Sequence, residues 1–136
     1  MSKREYVQMP GTQELFEQWG LVEAVRAENT VSVSGQVGWN EKGEVIEGLE
    51  AQSLQAFQNL KTILGKAGAE PRHITHLTFY FVNPGDGSSM EERAGIVVDA
   101  KSKVMPECKA AATGVGVTEL VMPGLLIEIQ ATALID

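Results

Sequence analysis

The longest periodic run of apolar residues in the chain covers residues 49–67 and has helical spacing. Apolar or small residues recur there every three or four positions, at Leu49, Ser53, Ala56, Phe57, Leu60, Ile63, Leu64 and Ala67. Residues with these spacings share one face of a helix, so the pattern predicts a helix with a single buried stripe. Gly68 is placed to end that helix in the left-handed conformation, and Pro71 prevents the helix from resuming.

Alternating apolar and polar residues predict strands on both sides of this helix. Before it, residues 21–27 and 30–34 form a predicted hairpin joined by a Glu-Asn turn, with Val31 and Val33 on one face of the second arm. After it, residues 74–82 are rich in β-branched and aromatic side chains and alternate in the same way. One face of each strand is therefore expected to be buried and the other polar.

A second helix and two more strands complete the predicted elements. Ser89 and Glu92 have the spacing of a capping box, which predicts a helix that begins there and runs to about Lys103. Strands are predicted within residues 110–121 and over residues 125–134. Because the segment between them is Met-Pro-Gly, a typical turn sequence, we expect these two strands to form a final hairpin.

These elements predict one two-layer α+β domain over residues 1–136, in which residues 1–20 are an N-terminal extension. Each helix has a single apolar stripe, so both helices are expected to pack on one face of the sheet. The other sheet face carries a mixture of small, apolar and polar residues, and we expect it to contact another subunit rather than water.

Composition and charge restrict the classes of function. The chain has 136 residues, of which 43% are hydrophobic and 21% charged, a balance typical of one folded domain. Its formal net charge is -7, whereas nucleic-acid binding needs clustered basic side chains, so RNA and DNA are disfavoured partners. One cysteine and two histidines do not by themselves complete a zinc site, so no metal is expected. No apolar stretch approaches the roughly 20 residues that span a bilayer, so we expect a soluble cytoplasmic protein without a membrane partner.

Several segments resemble motifs of a known family, and they occur in the family's order. The matching segments are residues 33–38, with the sequence VSGQVG, 50–69, 74–80, 113–117 and 128–133. Over about residues 21–134 the chain resembles the Rid family, also called YjgF/YER057c/UK114. The resemblance implies a chorismate-mutase-like fold with a mixed β-sheet of about six strands and two helices on one face. It also implies a homotrimer with clefts between subunits that bind small metabolites, and deamination of reactive enamines and imines such as 2-aminoacrylate without any cofactor.

The resemblance also assigns roles to individual positions, and the chain departs from the family at several of them. The arginine that pairs with the substrate carboxylate in active deaminases corresponds to Ala112. Lys109 is the nearest basic side chain and a candidate replacement, but strand alternation points it to the opposite face unless a bulge intervenes. The family's cleft tyrosine corresponds to Leu21, and its helix-borne asparagine falls in the region of Glu91 and Glu92. The chain therefore lacks the usual carboxylate-binding side chain.

Three further positions are candidate site residues. Glu128 matches the family glutamate that positions or activates water, and a carboxyl group beside an apolar interface can act as general acid or base if its pKa is raised. Ser34 and Gly35 match the segment whose backbone lines the cleft, where a glycine lets a ligand approach closely. The alternatives are a structural role for Glu128 and an ordinary strand end with a bulge at Ser34 and Gly35.

Two hypotheses of different classes follow. In the first, the protein is a Rid-like deaminase acting on a small imine, enamine or related carbonyl compound, with Glu128 handling water and protons. In the second, it is a non-catalytic metabolite-binding or regulatory trimer, which would explain the alanine at position 112. Ribonuclease activity, also associated with the family, is the weakest interpretation because the chain is acidic.

Overall fold

Six strands form one mixed sheet in the structure, a computed structural model that describes residues 3–136. The strands are β1 (Arg4–Val7), β2 (Ala24–Ala27), β3 (Thr30–Val37), β4 (Ile74–Val82), β5 (Ala111–Val117) and β6 (Ile127–Leu134). They lie side by side in the order β1-β2-β3-β6-β4-β5. Only the β4–β5 pair is parallel, and the other neighbours are antiparallel. The expected mixed sheet of about six strands is confirmed.

Within residues 3–136, three α-helices accompany the sheet: α1 (Gln13–Gln18), α2 (Leu49–Lys66) and α3 (Met90–Val104). A short 3₁₀ helix, Pro71–His73, precedes β4. The expected stop after α2 is confirmed, since Gly68 has a φ of 83°. The expected capping box of α3 is also present: the Ser89 hydroxyl accepts from the Glu92 N–H at 3.1 Å, and the Glu92 carboxylate accepts from the Ser89 N–H.

The main core lies between the sheet and the two long helices. Apolar side chains at alternate positions of β3, β4 and β6 pack against the buried stripe of α2, in which Phe57, Leu60, Ile63 and Leu64 are fully buried. Burial of each such side chain stabilises the fold by roughly 1.5–3 kcal/mol. Truncation of Leu60 to alanine would therefore cost about 2–5 kcal/mol.

The described part of the N-terminal extension, residues 3–20, packs onto the rest of the domain. Strand β1 pairs with β2 at one edge of the sheet, and Val7 lies in the main core. Phe16 of α1 joins Val37, Trp39 and Leu125 in a second, smaller apolar cluster. The sequence pattern predicted no strand in this segment, because β1 is short and its periodicity is weak, so its pairing depends on a neighbouring strand rather than on its own pattern.

Two predictions about the strands were wrong. The last two strands do not form a hairpin, because β6 lies between β3 and β4, and β5 lies at the far edge beyond β4. The Met-Pro-Gly segment makes a turn, but a turn does not determine which strand the chain then joins. Strand β2 begins at Ala24 rather than at residue 21, since the chain between α1 and Ala24 connects two elements.

The face of the sheet away from α2 and α3 is called the open face below. Strand alternation and register place Ser32, Thr78, Tyr80, Glu128, Gln130 and Thr132 on it. These side chains are half-buried or exposed, whereas their neighbours along each strand are buried. Among residues 3–136, no helix is both long and apolar enough to cross a bilayer.

Candidate functional site on the open face

Strands β6 and β4 place three pairs of polar side chains side by side on the open face. Glu128 stands opposite Tyr80, Gln130 opposite Thr78, and Thr132 opposite His76. Directly paired residues of antiparallel strands have Cβ atoms about 4.5–5.5 Å apart, so each pair forms a continuous polar surface. The sheet therefore presents Glu128 and Tyr80 together.

A β-bulge in β3 brings Ser34 and Gly35 to the same place. Val33 pairs with Ala131 and Gln36 pairs with Ile129, so two residues of β3 stand opposite the single residue Gln130. A bulge bends the strand and re-aims its side chains, and bulges are frequent beside functional sites. Here it places Ser34 and Gly35 next to the amino-terminal half of β6 while Val33 and Gln36 are both still buried.

The side chain of Glu128 lies directly over Gly35. A Cβ atom at position 35 would fall 2.6 Å from Cδ and 2.9 Å from Cγ of Glu128, so only glycine leaves room for this carboxylate. No φ in the left-handed range accompanies Gly35, so close approach, rather than backbone conformation, requires the glycine. The structure therefore places Glu128 and Gly35 in contact within one chain.

The environment of Glu128 favours the protonated acid. Burial raises the pKa of this carboxyl group, and no hydrogen bond or charge within residues 3–136 counteracts that effect. The Glu128 side chain is half-buried, so its oxygens remain available to a molecule on the open face. A carboxyl group with a raised pKa and no internal partner is suited to give a proton to a bound molecule and to take one back.

Ser34 is held by the main chain of the neighbouring segment. Its hydroxyl donates to the carbonyl of Val22 at 2.7 Å, which leaves the hydroxyl oxygen free to accept. Ser34 lines a shallow depression of about 640 Å³ together with Tyr6, Leu21 and Val25. The depression is open and largely apolar, and Leu21 is 49% exposed at its edge.

Ala112 and Lys109 do not join Glu128. Ala112 pairs with the core residue Leu77, so it lies on the sheet face opposite to that of Glu128, on the edge strand β5. Lys109 is exposed in the connection between α3 and β5. A site that contained both Ala112 and Glu128 would therefore need two copies of the chain.

The open face around Glu128 carries no strongly basic side chain. Within β3, β4, β5 and β6, the open-face positions contain neither lysine nor arginine. His76 is the one residue on those positions with an ionisable nitrogen, and its Nε2 lies 3.4 Å from the Thr113 hydroxyl. Along β4, His76 is four residues, or about 13 Å, from Tyr80. A carboxylate ligand would find no guanidinium here within one subunit.

Cys108 and His73 have structural environments. Cys108 is buried, and burial raises the pKa of its thiol, which disfavours the nucleophilic thiolate. His73 is buried, accepts the N–H of Glu70 at 2.9 Å and contacts Asp136 at 3.2 Å through Nε2. In residues 3–136 no group of three or more His, Cys, Asp or Glu side chains is arranged to hold a metal ion.

Tyr80 is the residue of this site that the sequence interpretation did not nominate. Its phenol shares the open face with Glu128, and its position opposite Glu128 follows from a register that only the folded sheet shows. Strand alternation already placed Tyr80 on the polar side of β4, together with His76 and Thr78. That pattern indicated which face of the sheet Tyr80 lies on, but it did not indicate which residue of another strand lies beside it.

Comparisons with known proteins point to one family. The family model described as endoribonuclease L-PSP matches residues 13–135. A RutC family protein of Aquifex aeolicus is 33% identical over 112 residues, which cover 82% of this chain and 85% of that protein.

Solved structures agree with this match. A protein of the conserved Rid family from Yersinia pestis is 35% identical, with a TM-score of 0.68 and coverage of 97% of this chain and 98% of that one. Rv2704 of Mycobacterium tuberculosis, of the YjgF/YER057c/UK114 family, is 26% identical, with a TM-score of 0.80 and coverage of 98% and 100%.

Proposed function

Because the chain belongs to the endoribonuclease L-PSP family, which includes the Rid and YjgF/YER057c/UK114 proteins, we propose that it hydrolyses small imines or enamines that lack a carboxylate. Glu128 is the general acid and base of this reaction. The site is completed by a neighbouring copy of the chain in a homotrimer, which covers the open face.

The position and environment of Glu128 support this proposal. Its carboxyl group has a raised pKa, has no partner within the described chain and lies over the backbone of Gly35. Hydrolysis of an imine needs a group that first gives a proton to nitrogen and then takes one from water. One carboxyl group with a pKa closer to neutral can do both in turn.

The reaction balances with water as the only co-reactant. Glu128 donates its proton to the imine nitrogen, and the resulting carboxylate accepts a proton from water as the water oxygen bonds to carbon. The same proton then moves to the amino group of the carbinolamine. The C–N bond breaks, ammonia leaves, and the hydroxyl proton returns to Glu128 as the carbonyl forms. An enamine enters this sequence after protonation at carbon gives the iminium ion.

The chemistry of the open face supports the choice of substrate. With alanine at position 112 and no lysine or arginine on the open-face positions of β3–β6, these positions offer no cation to a substrate carboxylate. The same shortage of basic groups, with a net charge of -7, argues against RNA as a substrate. A neutral imine or enamine fits best.

The test is steady-state release of ammonia from imines and enamines generated in solution, with and without a carboxylate. Glu128→Gln keeps the size of the side chain but removes its acid–base function, so turnover is expected to fall about 10²- to 10⁴-fold. Glu119→Gln is the matched control, because Glu119 is exposed in the β5–β6 connection and should not affect turnover. Turnover by Glu128→Gln equal to that of the wild type would contradict the proposal.

The second candidate function is non-catalytic binding of a metabolite in the same cleft. Ala112 favours this binding function, because the side chain at the position that binds carboxylate substrates in active members is uncharged here. In that case a ligand at 100 times its Kd would stabilise the wild type by about 2.7 kcal/mol without any turnover. Thermal shift and ammonia release, measured on the same compounds, separate the two functions.

A further inference from the structure

A second cavity, of about 620 Å³, lies away from the open-face site. It is open on one side and is lined by the segment before α1, the end of β3 with the residues that follow it, and one side of α2. Its lining contains none of Ser34, Gly35, Tyr80 or Glu128. Its volume lies in the range of small-molecule pockets, so we consider it separately from the proposed reaction.

Glu23 lies in the wall of this cavity and is only 1% exposed. Its Oε2 accepts from Nε2 of Gln36 at 3.0 Å, and its Oε1 accepts from the hydroxyl of Thr12 at 3.4 Å. Both donors are neutral. A carboxylate can accept about four hydrogen bonds, so these two leave part of its capacity for another donor.

The charge of Glu23 is not compensated within the described chain. None of the ion pairs among residues 3–136 involves it, and no cation lowers its pKa. Burial raises the pKa of Glu23, and the hydrogen bonds from Gln36 and Thr12 oppose this effect only in part. A buried carboxylate without a cation is unfavourable by several kcal/mol, so the group either keeps its proton or acquires a cationic partner.

The rest of the wall fits an organic ligand better than a bare ion. Amide side chains dominate it, including those of Gln55 and Asn59, and Trp39 supplies an aromatic surface. Glu41 and Lys66 carry opposite charges at its exposed edge. Asn59 is held in place by donating to the carbonyls of Val37 and Trp39 at 3.2 and 3.1 Å. Such a wall offers several hydrogen bonds and one apolar contact, which are typical of specific small-molecule sites.

We propose that this cavity is a second ligand site, in which Glu23 binds the N–H groups of a small organic cation of the ammonium or amidinium class. The cation forms a charge-assisted pair with the Glu23 carboxylate, and the remainder of the ligand contacts Trp39 and the amides of α2. Where Glu23 is protonated in the empty protein, binding releases that proton to solvent. The site acts independently of Glu128.

The test uses benzamidinium and its neutral analogue benzamide as probes. By calorimetry, benzamidinium is expected to bind the wild type, and benzamide at least tenfold more weakly, because only the cation pairs with a carboxylate. Glu23→Gln should weaken benzamidinium binding by about tenfold or more. Glu119→Gln removes the same charge from an exposed residue outside the cavity lining, and it is expected to leave the Kd unchanged.

Two measurements on the wild type keep the test valid if Glu23→Gln fails to fold. Benzamidinium should shift the NMR signal of the buried Trp39 indole and not that of Trp19, which is 57% exposed. Calorimetry in buffers of different ionisation enthalpy should detect proton release at mildly acidic pH.

Four outcomes would overturn the second site. They are no benzamidinium binding up to about 10 mM, equal binding of benzamide, unchanged affinity in Glu23→Gln, or loss of binding in Glu128→Gln. The last outcome would place the probe in the open-face cleft and would leave the proposed reaction intact.

Discussion

The carboxylate of Glu128 occupies the space that a side chain at Gly35 would fill. A methyl group at position 35 would lie 2.6 Å from Cδ of Glu128, and the β3 bulge brings the two residues together. The glycine and the glutamate are therefore one structural unit, and a change at either position should alter the same function.

Gly35→Ala is expected to lower turnover or ligand affinity at the open-face site by about tenfold or more, because a misplacement of about 1 Å is enough to disturb a catalytic group. Its effect on stability should be smaller, since the half-buried Glu128 side chain can rotate away. Steady-state kinetics and thermal unfolding measure the two effects. Gly65→Ala is the control: position 65 is exposed on α2 with nothing within 4 Å of a new Cβ, so it should stabilise by about 0.5–1 kcal/mol and leave activity unchanged.

Stability should fall as the pH rises from mildly acidic values towards neutral. Burial raises the pKa of Glu23 and Glu128 above the ordinary value of 4.5, so the folded state holds these protons more tightly than the unfolded state does. Their contribution to the free energy of unfolding is complete below pH 4.5 and is lost as the pH passes through the higher folded pKa values.

The double variant Glu23→Gln and Glu128→Gln tests this dependence. Its free energy of unfolding should vary less with pH than that of the wild type, and the difference should be visible in urea titrations from about pH 4.5 to 7.5. Asp86 and Asp136 act in the opposite direction, because their lowered pKa values give stability that is lost only as the pH falls below about 3.8. Superimposable pH profiles for the two proteins would show that these carboxyls do not titrate as described.

The proposed trimer predicts a particle of three times the 14.7 kDa chain mass in sedimentation equilibrium. Val115 is 39% exposed and pairs with Tyr80, so it lies on the open face of the edge strand. Val115→Asp should place a charge in the interface and shift the particle towards single chains. Val98→Asp is the matched control. Val98 lies on α3 and is 50% exposed, so this change should leave the particle mass unchanged. A single chain at micromolar wild-type concentration would remove the proposed intersubunit cleft.

Ala112→Arg is expected to extend the substrate range to carboxylates. Position 112 is exposed and on the sheet face opposite to Glu128, so its side chain can reach Glu128 only across a subunit boundary. An arginine there would form a bidentate pair with a substrate carboxylate, and kcat/KM for 2-aminoacrylate should rise by about tenfold or more. Lys109→Ala should leave that value unchanged. No gain in Ala112→Arg, with the trimer intact, would mean that position 112 does not face the cleft.

The local pattern of apolar residues was sufficient to predict the elements that bury one regular face. The three-and-four spacing between Leu49 and Ala67 predicted α2 to within one residue, and the alternation over residues 74–82 predicted β4 with its bounds. Such patterns work because burial of one face depends on the period of the element alone. They also separated Glu128 from its apolar neighbours on β6, which is why the open-face site could be expected in part.

The tertiary structure alone decided which elements are neighbours. The insertion of β6 between β3 and β4, the pairing of β1, and the approach of Glu128 to Gly35 and Tyr80 all join residues distant in sequence. The burial of Glu23 is of the same kind, since its surroundings come from α2, β3 and the segment before α1. The period of an element shows which face each of its residues lies on. Which elements become neighbours depends on how all strands and helices together bury the same core, and this is determined only in the folded chain.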